Sequence, residues 1–269
     1  MYIAAMVGML SSWAVTGGSP YNVDPAFDVP LTVGVLAVVG LEETFVKPSL
    51  SAPSGCVLPS NGAYCDKSHL NSLDRSVVGN YSKTWLNVSD VGQYGALALP
   101  IAASSLDAWL SGSDTGLEDA ATDSLVVIEA ATFATLMSTM VKLATRRPRP
   151  GQYVADRAGT SIEDQLSFPS GHTTATAAAT TAYATTFWLR HPDSPARYVV
   201  TAGAVAMTGA VGYARVAGGM HFYIDVLAGA VMGGVTGWLV PLWHRADRDT
   251  RVAVSPLPGG GLVALTLDL

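Results

Sequence analysis

The stretch SFPSGHTTATAAATTAYATTFWLR, residues 167–190, joins a short polar entrance to a long run of alanine and threonine. The run is about as long as a bilayer is thick, and its residues do not alternate strictly between polar and apolar. Small side chains of this kind favour close contact between helices over strands. The stretch therefore predicts a closely packed helix that carries serine, glycine and histidine at its first turn.

The composition of the whole chain agrees with a helical membrane protein. Of its 269 residues, 49% are hydrophobic and only 13% are charged, roughly half the charged share of an ordinary soluble domain. A densely packed soluble helical protein would also fit. The formal net charge of −6 offers no general basic surface, so no nucleic-acid partner is expected.

Other apolar segments extend the helical pattern on both sides. A weaker one, 31–46, is interrupted by Glu42 and Glu43 and resembles a buried helix more than a full span. The pattern predicts an all-α protein, a transmembrane bundle of six helices. The five clear segments are 91–110, 124–143, 172–189, 198–217 and 222–243.

The two ends of the chain differ from this helical part. Residues 1–20 are either a signal sequence or a first apolar helix, since the run is short and no basic residue precedes it. The helical domain is expected over 21–251, with its active-site core at 142–225. The tail 252–269 has proline and glycine followed by an alternating apolar run, which predicts one short strand.

The loops predict an orientation in the membrane. The basic loops 190–197 and 244–251 fall on one side, which the positive-inside tendency makes cytoplasmic. Cys56 and Cys65 close a short polar loop on the opposite side, where an oxidising compartment would allow a disulfide. Two free thiols remain the alternative.

Three polar clusters stand at ends of apolar segments that point to the side of the cysteine loop. They are KLATRRPRP at 142–150, PSGH at 169–172 and ARVAGGMHFYID at 214–225. A phosphoryl group needs fixed donors for its charged oxygens, and guanidinium groups match two oxygens at once. Arg149 and Arg215 are therefore candidate phosphate ligands, with Lys142 as a further charge.

The remaining polar residues of the clusters suit the chemical steps. Ser170 and Gly171 at a helix start offer backbone N–H groups to an anion. His221 and Asp225 are four residues apart on one helical face, so the carboxylate can orient the imidazole as a nucleophile. His172 is then the general acid and base. The scheme requires no metal or other cofactor.

The spacings Lys-x6-Arg-Pro, Pro-Ser-Gly-His and Arg-x5-His-x3-Asp resemble the three signature motifs of the type 2 phosphatidic acid phosphatase superfamily. That superfamily includes lipid phosphate phosphatases, bacterial acid phosphatases and vanadium haloperoxidases. The resemblance implies a phosphohistidine on His221 partnered by Asp225, and acid–base catalysis by His172. It also implies phosphate binding by Lys142, Arg149, Ser170, Gly171 and Arg215. Ala214 stands where the family usually has serine.

The expected activity is a metal-independent phosphatase acting on a phosphorylated lipid, in a bacterial inner membrane with its site facing the exterior. A soluble periplasmic acid phosphatase, a haloperoxidase and a non-catalytic anion-binding protein are the alternatives. The sequence leaves the individual substrate and the oligomeric state open.

Polar residues outside the motifs are predicted to have no catalytic role. His69, His191 and His244 are expected to be solvated in loops, and Asp107 and Glu129 to provide polarity within the bundle. Four polar residues before the apolar segment 91–110 are expected to cover the side of the bundle that holds the active site. They are Asp74, Arg75, Ser89 and Asp90.

Overall fold

The computed structural model describes residues 19–50, 64–111, 114–246, 251–257 and 260–266. It confirms the all-α class of the main domain, whereas the total of six helices for the whole chain stays a prediction because residues 1–18 lie outside the described part. The long helices are α1 (Pro25–Leu41), α2 (Lys83–Ser111), α3 (Gly116–Thr145), α4 (Gly171–Arg190), α5 (Ala196–Ala217) and α6 (Tyr223–Trp243).

Helix α1 is longer and more exposed than the sequence predicted. The Asp24 side chain caps its start by accepting from the Ala26 N–H, and Pro25 fits the first turn. The helix continues through a π-helical turn, Glu42–Val46, to Ser49. The prediction of a mostly buried helix was wrong, because Glu42 turns into the protein while the apolar side chains of α1 stay largely exposed.

Four helical segments of the described chain are long and apolar enough to cross a membrane, by length and composition. They are Pro25–Ser49, Gly116–Tyr153, Ala196–Ala217 and Tyr223–Trp243.

Helix α4, which holds the alanine–threonine run, packs against α2, α3, α5 and α6. Three of its buried hydroxyl groups are satisfied within the helix: Thr174, Thr180 and Thr186 each donate to the carbonyl four residues earlier. The buried hydroxyl of Thr176 has no hydrogen-bond partner among the described residues. Most of the polar cost of burying these threonines is therefore offset within α4 itself.

Glycines of α6 bring its backbone against that of α4. A Cβ atom at Gly233 would lie 2.1 Å from the carbonyl oxygen of Thr174, and one at Gly237 would lie 2.3 Å from that of Ala178. Only glycine permits this approach. The close packing fixes the first turn of α4 beside the first turn of α6.

The segment between α3 and α4 crosses the bundle end where these helices meet. It contains three short 3₁₀ turns, Pro150–Tyr153, Ala155–Arg157 and Ile162–Gln165. The N–H of Cys65 donates to the carbonyl of Gln152, 2.9 Å away, so this part of the cysteine loop lies at the same end. Cys56 lies outside the described residues, and the disulfide stays a prediction.

The tail contains two strands where the sequence predicted one. Strand β1, Arg251–Leu257, pairs antiparallel with β2, Gly260–Thr266, so that Arg251 faces Thr266 and Leu257 faces Gly260. The apolar run after the proline and glycine is only the second arm of this hairpin.

Candidate active site

A cavity of about 340 Å³ opens at the bundle end where α3 finishes and α4 begins. Its walls come from segments that are far apart in sequence, between α1 and the start of α6. The charged and titratable side chains that line it are Glu43, Lys47, Lys142, Arg149, Glu163, His172, Arg215 and His221, and Gly171 lines it as well.

The structure thus brings six of the predicted site residues to one cavity, and two others lie behind its wall. Ser170 and Asp225 are not among the lining residues. The Ser170 hydroxyl bonds that of Thr173 at 2.9 Å, and its backbone N–H donates to the carbonyl of Asp225 at 2.9 Å. Ser170 therefore joins α4 to α6 in this structure, and its contact with phosphate stays a prediction.

Arg149 and Arg215 reach the cavity as buried cations with hydrogen-bonding capacity left over. The Nε of each guanidinium group has no hydrogen-bond partner within the described part of the chain. Arg149 donates to Glu163 at 3.0 Å, and Arg215 to the hydroxyl of Ser89 at 3.2 Å. Because a buried unpaired donor is costly, an anion that accepts these N–H groups would bind favourably.

Gly171 leaves room for the third phosphate candidate, Lys142. A Cβ atom at this glycine would lie 3.0 Å from the Lys142 Nζ. Any larger residue would press on the ammonium group, so the motif glycine also serves to admit the lysine into the cavity.

The ring of His221 is fixed by a backbone carbonyl. Its Nδ1 lies 2.7 Å from the carbonyl oxygen of Ser167, which can only accept, so Nδ1 carries the proton and Nε2 the lone pair. Burial, with the charges of Arg149, Arg215 and Lys142, holds the pKa of His221 well below its ordinary value. The imidazole is therefore neutral and nucleophilic at neutral pH.

Asp225 does not bond the His221 ring, contrary to the sequence-based expectation. The closest approach is 3.8 Å between Asp225 Oδ2 and His221 Nδ1, which is beyond a hydrogen bond. The carboxylate instead accepts from the Ser167 hydroxyl at 2.6 Å, from the Phe222 N–H at 2.9 Å and from Arg147. Arg147 also bonds the buried Asp74 at 2.7 Å. Asp225 thus holds the segment that carries the Ser167 carbonyl.

His172 has a carboxylate partner that sequence reasoning did not assign to it. Its Nε2 lies 2.8 Å from Oδ1 of Asp90 in α2, and the same oxygen lies 3.5 Å from Arg215. Because Asp90 directly precedes an apolar segment, the sequence predicted that it lies at the active-site end of the bundle. The sequence did not predict that its partner is His172.

Lys47 was also missed. Its ammonium group is buried at the end of α1, 3.2 Å from Glu163 and paired with Glu43. Burial would raise the pKa of Glu163, but Lys47 and Arg149 outweigh this effect and lower it, so Glu163 is ionised at neutral pH. The sequence motifs do not include Lys47, because it lies nearly a hundred residues before Lys142, where the first motif begins.

The prediction that His191 and His244 are solvated was wrong. Both are buried at the opposite end of the bundle, where His191 pairs with Asp107 at 3.2 Å and His244 with Glu129 at 2.9 Å. The expectation of polarity within the bundle for Asp107 and Glu129 agrees with these pairs.

Residues 123–249 match the family model of the PAP2 superfamily, a range that includes both histidines, Lys142, Arg149 and Arg215. Among solved structures, a transmembrane PAP2-type phosphatidylglycerolphosphate phosphatase from Bacillus subtilis is similar, with 19% identity and a TM-score of 0.47. The similarity covers 83% of this chain and 98% of that one. The comparison with curated proteins found no match.

Proposed function

We propose that the chain is a member of the PAP2 superfamily, whose family model matches residues 123–249, and that it is a phosphatase whose nucleophile is His221. One observation carries the proposal: the neutral imidazole lines a cavity together with buried Lys142, Arg149 and Arg215. The three cations of such a cavity would stabilise the negative charge on the oxygens of a phosphoryl group during its transfer. The neutral imidazole would accept the phosphoryl group.

In the first step, Arg149, Arg215 and Lys142 bind the non-bridging oxygens of the substrate. The Nε2 lone pair of His221 attacks phosphorus, and the bond from phosphorus to the leaving oxygen breaks. Protonated His172 donates its proton to that oxygen, which leaves as an alcohol. Burial and the charge of Arg215 lower the pKa of His172 to about 4, whereas its hydrogen bond to Asp90 opposes this shift and favours the protonated form. The negative charge of a bound phosphate would favour the protonated form further.

In the second step, water attacks the phosphohistidine. The now neutral His172 takes a proton from this water, the bond between nitrogen and phosphorus breaks, and inorganic phosphate is released. His172 is protonated again, and His221 regains its lone pair. The cycle is complete without any group from outside the chain other than water.

The substrate is proposed to be a phosphorylated lipid. A second cavity, of about 220 Å³ and mostly apolar, lies between α1, α2 and α3, and it shares Gln93 and Thr135 with the active-site cavity. An apolar chain in this second cavity would extend directly from a phosphate beside His221. The candidate spans in α1, α3, α5 and α6 favour a membrane-embedded enzyme over a soluble acid phosphatase.

We further propose that the cavity faces the exterior of the cell. The basic segments 190–197 and 244–251 follow the ends of α4 and α6 that lie away from the cavity, which agrees with the positive-inside tendency. A disulfide between Cys56 and Cys65 would form on the cavity side. Thiol alkylation of the protein with and without prior reduction tests the disulfide, and two labelled cysteines in the unreduced protein would contradict it.

The decisive experiment is phosphate release by detergent-purified protein, without added metal, from phosphatidic acid, phosphatidylglycerol phosphate and a polyprenyl diphosphate. We expect turnover of at least one lipid and its loss in His221→Ala, because no other cavity side chain replaces the nucleophile. His69→Ala, at an exposed histidine, is the matched control and should keep the wild-type rate. A His221→Ala protein with the wild-type rate would refute the mechanism.

A further inference from the structure

The end of the bundle opposite the phosphate cavity holds a second group of buried polar side chains. Helix α1 has only two buried residues within Pro25–Leu41, and both are polar, Asp28 and Thr32. They are four residues apart and so lie on one face. The contact of α1 at this end is therefore polar, although most of its side chains are apolar.

This face meets Glu129 of α3 and His244, which directly follows α6. Asp28, Glu129 and His244 each offer one ligand atom, and the three atoms lie within 4.8 Å of one another. Their exposed fractions are only 6%, 5% and 6%. Segments distant in sequence thus converge on one small volume.

Among the described residues, the formal charge of this group is negative when both carboxylates are ionised. Two carboxylates face one imidazole, and no lysine or arginine forms an ion pair with Asp28 or Glu129 within the described residues. Even a protonated His244 would leave one negative charge, and a buried unbalanced charge is costly. A divalent cation beside a neutral imidazole would bring the sum to zero.

Unused oxygen atoms accompany this imbalance. One carboxylate oxygen of Asp28 accepts from the N–H of Asp24 at 2.8 Å, which leaves the other for a ligand. The Thr32 hydroxyl is 3% exposed and has no hydrogen-bond partner among the described residues. Thr32 lies one turn after Asp28 on the same face of α1, which makes its hydroxyl oxygen a candidate fourth ligand.

We propose that Asp28, Glu129 and His244 bind a divalent transition-metal ion, with the Thr32 hydroxyl as an additional oxygen ligand. One imidazole with carboxylates suits Zn²⁺ or Mn²⁺ better than Mg²⁺ or Ca²⁺, which prefer oxygen alone. The ion would replace the proton shared by His244 and Glu129, and it would link α1 to α3 and to the end of α6. The site is structural and independent of the proposed phosphatase chemistry.

Metal content measures the proposal directly. Purified full-length protein is incubated with ZnCl₂ and dialysed against metal-free buffer. Its zinc content per chain is then measured by inductively coupled plasma mass spectrometry. We expect about one equivalent of zinc in the wild type and less than about a tenth of that in His244→Gln and Glu129→Gln. His191→Gln, which removes another buried histidine–carboxylate pair at the same end, is the matched control and should keep its zinc.

If a variant fails to fold, the proposal can still be tested by measuring the thermal midpoint of the wild-type protein at increasing zinc concentrations. Zinc should raise the thermal midpoint of the wild type and of His191→Gln by several degrees, because it binds only the folded state. A wild type that retains no zinc and shows no shift would overturn the proposal. Zinc binding that survives in folded Glu129→Gln and His244→Gln would overturn it equally. Neither measurement depends on phosphatase activity, so the metal site and the phosphatase mechanism are tested independently.

Discussion

His221 donates its Nδ1–H to the backbone carbonyl of Ser167, 2.7 Å away. Ser167 lies five residues before His172, in the segment that leads into α4. The contact therefore sets the proposed nucleophile, His221, in a fixed relation to His172, the proposed acid–base residue. Because a carbonyl only accepts, it also selects the tautomer that leaves Nε2 free for phosphorus.

Ser167→Ala separates the carbonyl from the hydroxyl of this residue. The carbonyl contact with His221 remains, whereas the hydroxyl bond to Asp225 at 2.6 Å is lost. We expect the free energy of unfolding to fall by about 1–3 kcal/mol, as for a buried acceptor that loses its donor, and kcat to fall less than about tenfold. Thermal unfolding and lipid turnover measure the two effects. A variant as inactive as His221→Ala would show that the hydroxyl, rather than the carbonyl, positions the ring.

Asp90→Asn tests the pairing of His172 with a carboxylate at 2.8 Å. The amide cannot stabilise a protonated imidazole as well, so protonation of the leaving oxygen becomes harder. We expect kcat for an alkyl phosphate to fall roughly 10- to 100-fold, within the usual contribution of general acid catalysis. p-Nitrophenyl phosphate, whose leaving group needs little protonation, should be affected much less. Equal losses on both substrates would contradict the role of Asp90.

Glu163→Gln removes a carboxylate that occupies Arg149 at 3.0 Å and Lys47 at 3.2 Å. A phosphate oxygen would compete with this carboxylate for the same donors. We expect the inhibition constants of inorganic phosphate and vanadate to fall about 3- to 10-fold, since the amide binds the cations less strongly. Glu118→Gln, at an exposed acid in the first turn of α3, should leave both constants unchanged. Weaker inhibition in Glu163→Gln would mean that the carboxylate mainly positions the two cations.

The low pKa of His221 predicts a stability that depends on pH. Above the ordinary value of 6.5, the ring is neutral in both the folded and the unfolded protein. As the pH falls below 6.5, the unfolded state binds a proton that the folded state does not, so stability decreases towards the folded-state pKa. Between pH 7.5 and 5.0 the wild type should therefore lose more thermal stability than His221→Gln. Parallel melting curves in detergent at the two pH values would contradict this.

Gly233→Ala tests the backbone contact of α6 with α4. The added methyl would lie 2.1 Å from the Thr174 carbonyl oxygen, so the helices must separate, at a cost of about 1–3 kcal/mol. Gly234→Ala is the matched control, since a Cβ there meets nothing within 4 Å. We expect lower thermal stability and lower kcat only in Gly233→Ala, because separation moves His221 away from His172. Equal behaviour of the two variants would refute the contact.

Most helix positions and the motif residues of the site could be predicted from short stretches of the sequence. Helix positions follow from runs of apolar residues, and the five clear segments agree with the observed helices to within a few residues, except that α2 and α3 both begin clearly earlier than predicted. Helix α1 was underestimated because Glu42 and Glu43 interrupt its run, and whether such a carboxylate turns inwards depends on neighbours that the run does not contain.

The sequence by itself determined the class of the fold, the residues of the three motifs and the kind of anion that they suit, because these depend on residue type and short spacing. Only the tertiary structure decided that Lys47 and Asp90 join the motif residues, that Ser167 rather than Asp225 holds the His221 ring, and that His244 is buried with two carboxylates. The physical reason is that each of these contacts joins side chains from different elements. Their distances are set by how the helices pack, as at the glycines of α6, and spacing along the chain carries no information about that packing.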